Sequence, residues 1–452
     1  MNKKETKISK EIRINKKSAR RNYSNQTGIT LIALVVTIVV LLILAGVSLN
    51  AIFSENGIIK RAQDAQNKMD QSTQNDLDSI NELNNWIDGK INGTTGGGTT
   101  GGDANPSTTQ KISTLVGKVV DKNTKAEDAY GNKITIPKGF KILEHNPTSS
   151  TGAVTYNYTN SEETGEHIPA VQDGIVIENG TDGNQFVWVP VGTIKNKDNT
   201  TKTITLGRYE FDSYTGALKS TTPVQVASVE NCTKIVTISR DAVDYQELST
   251  FREGNSATDS TAQNATARNL EEFISTTLAN GGYYIARFEA SGTAEKITSK
   301  YDQTVLTTIT QPNAAKAARE MYGEIKENNK LVYASDLVNS YAWDTAIVFI
   351  QTYSGKTDYA SHNESKTTKA FTATGKNNDK YCNIWDMSGN AYEWTTEYST
   401  YSSGSYFYPC VNRGGCYGSV SGIAGDYTSN RFRNETTDHN SLRGLRPLLY
   451  VK

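Results

Sequence analysis

The sequence predicts an α+β protein with three consecutive parts: a long N-terminal hydrophobic helix, a flexible linker and a loop-rich C-terminal domain. Residues 28–53 contain no charged side chain, and about 25 helical residues are long enough to cross a hydrocarbon core of about 30 Å. Seven glycines and six threonines lie within residues 89–110, a composition typical of a flexible linker. Downstream, short β-rich runs and two helical stretches predict the folded domain.

A basic leader precedes the apolar segment. Residues 1–28 contain nine Lys or Arg residues and two Glu residues, and such an excess of positive charge stays in the cytoplasm. We therefore expect a single pass through the cell membrane, with the N-terminus cytoplasmic and the C-terminal domain extracellular. Three kinds of segment compete: a plain signal anchor, a cleaved secretory signal, whose apolar core is usually shorter, and a processed helix that is retained.

The junction at Gly28 favours the processed helix. The charged leader ends at Gly28 and the apolar run begins at once with Ile29, which resembles the type IV prepilin cleavage and methylation motif. The resemblance implies that a prepilin peptidase cuts between these two residues, that a pilin-like helix and stalk over 29–88 is retained, and that pilin subunits are partners. Most such proteins have Glu where this chain has Ala33, which favours a membrane-tethered protein or a minor pilin over a filament subunit.

Beyond the linker, the sequence divides into a β-rich extension over 111–173 and a larger domain over 174–452. Short β-rich runs punctuated by Gly, Asn and Asp predict strands at 115–120, 133–136, 174–178, 186–191, 203–206 and 235–238. The fourth strand is expected to end at Pro190, because proline has no N–H for the ladder. Apolar residues at helical spacing predict two helices, at 265–280 and 337–351.

Net charge and cysteine content limit the function further. The chain has a net charge of −1, and because the leader carries +7, the remainder carries about −8. A mildly acidic exported part has no electrostatic footprint for nucleic acid, so no nucleic-acid partner is expected. The four Cys residues form disulfides in an oxidising exterior or remain thiols, and the sequence leaves both alternatives open.

Six short phrases stand out in the C-terminal domain. They are Gln185–Val191, Gly282–Ser291, Tyr341–Asp344, Asn383–Trp394, Arg413–Gly415 and Gly444–Pro447. In this order and spacing they resemble the sulfatase-modifying-factor family, also called formylglycine-generating-enzyme-like, and the most specific part is NIWDMSGNAYEW. The resemblance covers 174–452 and implies a C-type-lectin-like fold for that region.

Seven residues of these phrases are expected to have structural roles. They are Trp385, Gly389, Trp394, Arg413, Gly414, Gly415 and Arg446. The glycine between Ser388 and Asn390 suits a turn with positive φ, and the two tryptophans are large apolar side chains expected in the core. Each arginine is expected to form a bidentate pair with an acid such as Asp386 or Glu393, which holds loops together.

The catalytic site of the family's oxidases has no counterpart in this chain. Those enzymes bind copper with two cysteines, and the matching positions here are Ser419 and Ala424. Neither side chain ligates copper, so the resemblance implies neither copper binding nor formylglycine-generating activity. The sequence also lacks a histidine-pair zinc motif, a nucleophile elbow and a P-loop, and we expect a protein that is not an enzyme.

Calcium is the metal that the resemblance implies. Family members often hold Ca²⁺ at a Gly-Asn-x-x-Glu turn, which here contains Asn390 and Glu393. Because Ca²⁺ takes roughly six to eight oxygen ligands, further ligands such as Asp386 would be required. The alternative is that Glu393 pairs with an arginine.

Residues 397–440 are unusually rich in Tyr, Ser, Gly, Asn and Asp. Recognition loops of antibodies use these residue types, since Tyr gives a large contact area at low entropic cost and the small polar residues adapt their hydrogen bonds. We therefore expect a ligand-binding face formed by Tyr406, Tyr408, Tyr417, Ser419, Asp426, Tyr427, Asn430 and Arg433. The sulfatase-modifying-factor family includes display proteins whose loops are diversified by retroelements at adenine-rich codons, and this composition is compatible with such diversification.

Three functions are consistent with the sequence. The first is a membrane-anchored, surface-displayed adhesion or recognition protein, whose inactive sulfatase-modifying-factor-like domain binds an extracellular protein, peptide or glycan. The second is a minor pilin or pseudopilin subunit of a type IV pilus or type II secretion-like system, and the third is a surface oxidase or other enzyme. The flexible linker and Ala33 favour the first.

Overall fold

The computed structural model describes Val39 and six stretches, 109–143, 170–240, 242–254, 263–365, 370–418 and 427–452. The chain divides into two units, 1–107 and 108–452, and every element below belongs to the second. The predicted helix and stalk over 29–88 lies outside the described residues, apart from the helical Val39. The processing junction between Gly28 and Ile29 and nearly all of the linker also lie outside them.

The described part of the chain is mostly β-structure. Strands make up 34% of the described residues and helices 15%, so the predicted α+β class is wrong for this part of the chain, whereas the predicted long N-terminal helix lies outside it. The physical reason is that segments expected to be irregular pair as very short strands, many of only two to four residues. Strands this short are too brief to show the alternation by which a strand is recognised in a sequence.

The strands are labelled in chain order. They are β1 (Gln110–Lys111), β2 (Thr124–Glu127), β3 (Lys133–Ile136), β4 (Phe140–Ile142), β5 (Val176–Asn179), β6 (Gln185–Pro190), β7 (Gly192–Lys195), β8 (Thr201–Ile204), β9 (Gly207–Arg208), β10 (Gln225–Val226), β11 (Ile238–Arg240), β12 (Val243–Gln246), β13 (Gly282–Ala286), β14 (Ser291–Thr293), β15 (Lys296–Thr298), β16 (Glu324–Glu327), β17 (Lys330–Leu337), β18 (Lys380–Tyr381), β19 (Ile384–Trp385), β20 (Tyr392–Ser399), β21 (Ser402–Ser403), β22 (Tyr406–Phe407), β23 (Cys410–Arg413), β24 (Phe432–Asn434), β25 (Arg443–Leu445) and β26 (Pro447–Val451).

Four α-helices lie in the described residues. They are α1 (Ile112–Leu115), α2 (Leu270–Asn280), α3 (Gln311–Glu320) and α4 (Ser340–Tyr353), and two 3-10 turns are at Val171–Asp173 and Tyr359–Ser361. The longest helix has 14 residues, whereas a membrane-spanning helix needs about 20 apolar residues. None of the described helices has the length and apolar character to cross a bilayer. This finding gives no support to the expected transmembrane helix or to the single-pass location at the cell membrane, and the segment that predicted both, 28–53, lies outside the described residues apart from Val39.

The core is a seven-stranded antiparallel sheet in the order β16-β17-β26-β13-β6-β5-β4. Its interior strand β6 is buried along its whole length and ends at Pro190, as the missing N–H predicts. Trp188 of β6 packs edge-on against Tyr284 of β13, with ring centroids 4.9 Å apart. Because β4 pairs with β5, the predicted extension over 111–173 and the predicted larger domain contribute to one sheet.

A second sheet contributes residues to the candidate ligand-binding site. Its strands follow the order β11-β12-β20-β23-β24, and β25 pairs with β20 in parallel. Strand β20 is central and nearly all buried, whereas β24 lies at the edge and, among the described strands, pairs only with β23. The register between β20 and β23 shifts between Trp394 and Tyr398, and such irregularities bend a strand and re-aim its side chains.

A predicted strand agrees with the structure where turn-forming residues mark its ends. The strand predicted at 133–136 coincides with β3, whereas 115–120 is not a strand. Instead, Ile112 and Leu115 bury one face of the short helix α1, since residues three apart lie on one side of a helical turn.

The two predicted helices start a few residues later than expected, because asparagines set their first turns. Asn269 caps α2 by accepting the N–H of Glu272 at 3.0 Å, and Asn339 caps α4 by accepting the N–H of Ala342 at 2.9 Å, both typical N-cap bonds. Helix α3 was not predicted, because its buried face consists mainly of alanines that give little hydrophobic periodicity.

A buried ionic cluster joins the second sheet to α4. Glu397 of β20 accepts hydrogen bonds from Arg208 (2.8 Å), Arg431 (2.8 Å) and Arg413 (3.2 Å). Asp344 of α4 binds Arg413 at 2.5 Å and Arg431 at 2.7 Å. Burial alone would raise the pKa of Glu397, but the three guanidinium groups lower it to about 2. The carboxylate therefore remains charged and holds four separate segments together.

We predict that Glu397→Gln lowers the free energy of unfolding by about 3–5 kcal/mol, because removing one partner of a buried ion pair leaves the others uncompensated. Urea unfolding followed by circular dichroism would measure the change. The matched control is Glu327→Gln, whose pair with Lys138 is exposed and which should cost about 0–1 kcal/mol. Equal stabilities of the two variants would contradict the structural role of the cluster.

Candidate ligand-binding site

A cavity of about 500 Å³ opens beside the edge strand of the second sheet. Three aromatic rings and three charged side chains line it. The lining residues are Tyr401, Tyr408, Phe432, Arg433, Asn434, Glu435 and Asp438. We refer to this cavity as the Tyr/Arg pocket.

One wall of the Tyr/Arg pocket is set by the hairpin β21–β22. Ser403 pairs with Tyr406, so the turn contains two residues, and Gly404 has a φ of +61°, as tight hairpin turns require. The hairpin brings Tyr401 and Tyr408 together at its base, where the N–H of Tyr408 donates to the carbonyl of Tyr401 at 3.0 Å. The centroids of these two rings are 5.5 Å apart.

The other wall is β24, which carries a cation over one of these rings. The guanidinium carbon of Arg433 lies 3.9 Å from the centroid of Tyr401, a cation–π contact that holds both side chains in place. Arg433 also hydrogen-bonds the hydroxyl of Tyr245. Within the described ranges, no salt bridge links Arg433 to a carboxylate. Its charge is thus available to a ligand.

The remaining lining residues divide into paired and unpaired groups. Asp438 binds Arg443 at 2.8 Å, and Asn434 accepts from the same guanidinium at 2.5 Å, so both are held by Arg443. Glu435 is half-buried and takes part in no salt bridge in the part of the chain that the structure describes. Phe432 is 37% exposed and stacks on Tyr392 with centroids 6.1 Å apart, which orders its ring.

The structure places two residues of the predicted ligand face, Tyr408 and Arg433, in the Tyr/Arg pocket. Tyr406 is 53% exposed at the tip of the same hairpin. Tyr417 lies elsewhere, with its ring 4.5 Å from that of Phe371.

Two further residues of the predicted face stand outside the Tyr/Arg pocket, and two are not described. Asn430 is buried and hydrogen-bonds Arg240. Tyr427 is half-buried, and its carbonyl accepts the N–H of Asn430 at 2.8 Å. Ser419 and Asp426 lie outside the described residues.

Sequence reasoning missed five of the seven lining residues. They are Tyr401, Phe432, Asn434, Glu435 and Asp438. The Tyr/Ser/Gly composition that singled out its neighbours also includes Tyr401. No local signal marks Glu435 or Asp438, because they reach the pocket only after the pairing of β23 with β24.

The residues expected to have structural roles lie in the core and its turns. The indole N–H of buried Trp394 donates to the carbonyl of Ile309 at 2.7 Å, whereas Trp385 is half-buried. Gly389 has a φ of +99°, and a Cβ there would lie 2.3 Å from the hydroxyl of Ser365, so only glycine fits. Gly414 and Gly415 also have positive φ, at +91° and +80°.

The two arginines of the phrases have different partners. Arg446 binds Glu393 in a bidentate pair, with Nε 2.9 Å from one carboxylate oxygen and Nη2 2.6 Å from the other. Arg413 lies opposite Glu393 in the strand register, yet it binds Glu397 and Asp344 instead. Glu393 is occupied by Arg446 on both of its carboxylate oxygens.

The predicted calcium ligands are already engaged within the protein. Arg446 occupies both carboxylate oxygens of Glu393. The side-chain oxygen of Asn390 accepts from the N–H of Thr372 at 3.0 Å, and its amide nitrogen donates to Glu289 at 2.5 Å. Across the described ranges, no group of three or more His, Cys, Asp or Glu side chains is arranged to hold a metal ion. The contacts at this turn do not fit calcium.

Three buried carboxyl groups, those of Glu289, Asp386 and Glu393, act on the single positive charge of Arg446. Burial raises the pKa of Glu289 well above its ordinary value and that of Asp386 to about 7. Burial also raises the pKa of Glu393, against the lowering effect of Arg446. The cluster therefore retains protons that exposed carboxyl groups would lose.

Cys382 and Cys410 are not activated as nucleophiles. All four are buried thiols, so the thiol alternative left open by the sequence is the one observed. Burial raises the pKa of Cys382 and of Cys410, which keeps both thiols protonated, whereas catalytic thiols have lowered values.

Comparison with known proteins finds no matching family model and no match among curated proteins. Among solved structures, the crystal structure of CarF shares 15% identity and a TM-score of 0.27 over 38% of this chain and 87% of that chain. Variable protein 1 of Treponema denticola shares 10% identity and a TM-score of 0.23, over 60% and 97% of the two chains. The U1 variant of the major tropism determinant shares 11% identity and a TM-score of 0.23, over 76% and 98%. TM-scores of this size establish neither fold nor function, and the resemblances to prepilins and to sulfatase-modifying factors stay predictions.

We predict that Asp386→Asn reduces the pH dependence of stability. The pKa of Asp386 is about 7 when folded against an ordinary value of 3.8, so the folded state binds the extra proton and stability falls as pH rises from about 4 to 7. Asparagine has no such proton and tolerates the local φ of +59°. Urea unfolding at several pH values would show a shallower slope for the variant.

The control for this slope is Asp302→Asn. Asp302 also has a positive φ, of +57°, but its side chain is 54% exposed. This variant should keep the wild-type slope. An unchanged slope in Asp386→Asn would show that Asp386 does not hold the proton.

Proposed function

We propose that this chain is a non-catalytic recognition protein that binds its ligand in the Tyr/Arg pocket. The observation that carries the proposal is a cavity of about 500 Å³ lined by three aromatic rings and by two charged groups without an ion-pair partner in the described ranges, Arg433 and Glu435. Ligand sites in proteins are commonly clefts of about 300–1,000 Å³ with aromatic walls and a few placed polar groups.

The rigidity of the walls supports recognition. The ring of Tyr401 is packed under the Arg433 guanidinium, and Phe432 is stacked on Tyr392. Side chains that are already ordered lose little conformational entropy when a ligand arrives. Tyrosine and arginine are also the residue types most enriched among those that dominate binding energy.

The protonated state of two buried thiols agrees with a non-catalytic role. If the six phrases mark a sulfatase-modifying-factor-like domain, the positions of its copper-binding cysteines hold Ser419 and Ala424, which do not ligate copper. The thiols of Cys382 and Cys410 are buried and kept protonated. A binding protein has no need of a reactive group, which agrees with this arrangement.

We predict that Tyr408→Ala and Arg433→Ala each weaken ligand binding by at least about tenfold, because truncating an aromatic or arginine anchor typically costs more than 1 kcal/mol. The full-length chain would be screened on arrays of peptides and glycans, and every hit titrated with both variants. The control is Tyr214→Ala, an equally drastic truncation of a tyrosine that is 82% exposed and outside the pocket. Ligands that bind both pocket variants as tightly as the wild-type chain would show that recognition takes place elsewhere, and they would overturn the proposal.

A further inference from the structure

We infer that the Tyr/Arg pocket takes an extended peptide that carries a carboxylate and a cationic side chain two residues apart, laid along β24. This inference rests on the proposed function and names the class of ligand. Three features of the pocket support it: the edge strand of the sheet, the spacing of Arg433 and Glu435, and the position of the aromatic rings.

The first feature is the strand itself. Residues Phe432–Asn434 form the edge of the second sheet and pair with β23 on one side. All three residues line the cavity, so the cavity and the strand edge are one surface. An edge strand presents unpaired N–H and C=O groups, and an extended peptide adds to such an edge through main-chain hydrogen bonds.

The second feature is the spacing of charge. Arg433 and Glu435 are two residues apart, and both line the cavity. Arg433 lies in β24 and Glu435 directly follows its last residue, and residues two apart in an extended chain are separated by about 6.6–6.8 Å. A peptide strand has the same repeat, so an acid and a base two residues apart would face Arg433 and Glu435 together. The third charged lining residue, Asp438, is already neutralised by Arg443.

The third feature is the aromatic surface next to these charges. Arg433 covers one face of Tyr401, whereas Tyr408 and Phe432 present ring surface to the cavity. Such rings pack against the apolar parts of neighbouring peptide side chains, and the stem of a lysine is one of them. The surface therefore supplies burial as well as charge pairing.

Opposite charges favour a peptide over the other ligand classes. A neutral glycan would bury Arg433 and Glu435 without a counter-charge, which is costly. A polyanion such as nucleic acid would pair with Arg433 but meet the like charge of Glu435. A peptide with both charges satisfies both groups and the strand edge at once.

The test uses the full-length chain and fluorescein-labelled heptapeptides in fluorescence anisotropy. One peptide has an aspartate two residues before a lysine, a second has the reverse order, and a third replaces both with serine. We expect one order to bind at least about tenfold more tightly than the other two peptides, since charge complementarity fixes register. The double variant Arg433→Glu/Glu435→Arg should reverse the preferred order.

The matched control exchanges the charges of an exposed pair outside the pocket, Lys138→Glu/Glu327→Lys, and should keep the wild-type preference. The milder Glu435→Gln variant guards against misfolding of the double variant and should lose only the contribution of the lysine. Retention of the wild-type order by the double variant would overturn the inference. If glycans bind in a Tyr408-dependent manner and no charged peptide binds, the peptide inference is overturned and the proposed function stands. If no ligand binds in a pocket-dependent manner, both the inference and the proposed function are overturned.

Discussion

The buried carboxylate of Glu397 is the interaction on which the rest of the second sheet depends. Three guanidinium groups surround it, from Arg208, Arg413 and Arg431, and Asp344 balances two of them. Withdrawing such charges from water costs several kcal/mol per ion, and only good geometry offsets it. The cluster therefore specifies one arrangement of β9, β20, β23 and α4, because any other leaves a charge buried without a partner.

The ionic cluster around Glu397 fixes the position of the Tyr/Arg pocket. Tyr401 follows Glu397 by four residues, and Arg433 follows Arg431 by two. The two walls of the pocket thus begin at side chains that are bound to each other at 2.8 Å. Short strands and a two-residue hairpin would leave these walls poorly ordered by themselves. Anchoring both to one buried ion pair lets a loop-rich segment present a preformed surface.

Burial separates the arginines of this chain into two kinds. Arg413, Arg431 and Arg446 are buried, and each is bound to a carboxylate, so they stabilise loops where regular ladders are short. Arg433 stands on an aromatic ring at the rim of a cavity, where a guanidinium retains donors for a ligand. The same residue type thus stabilises loops in the interior and, in the proposed function, contacts the ligand at the edge strand. The sequence alone does not distinguish the two, since the arginines at 431 and 433 lie within the phrase RFRN.

Local sequence determined the elements that carry their own signals: the strand at 133–136, the end of β6 at Pro190, the turn at Gly389, and the tyrosine-rich segment that supplies Tyr408. Proline lacks a donor and glycine lacks a Cβ, so these positions need no distant information. Tertiary structure alone decided the mostly-β class, the partner of Arg413 and the position of Glu435 beside the β21–β22 hairpin. Each of these depends on pairing between segments that are distant in the sequence, and a one-residue change of register sends every side chain to the opposite face.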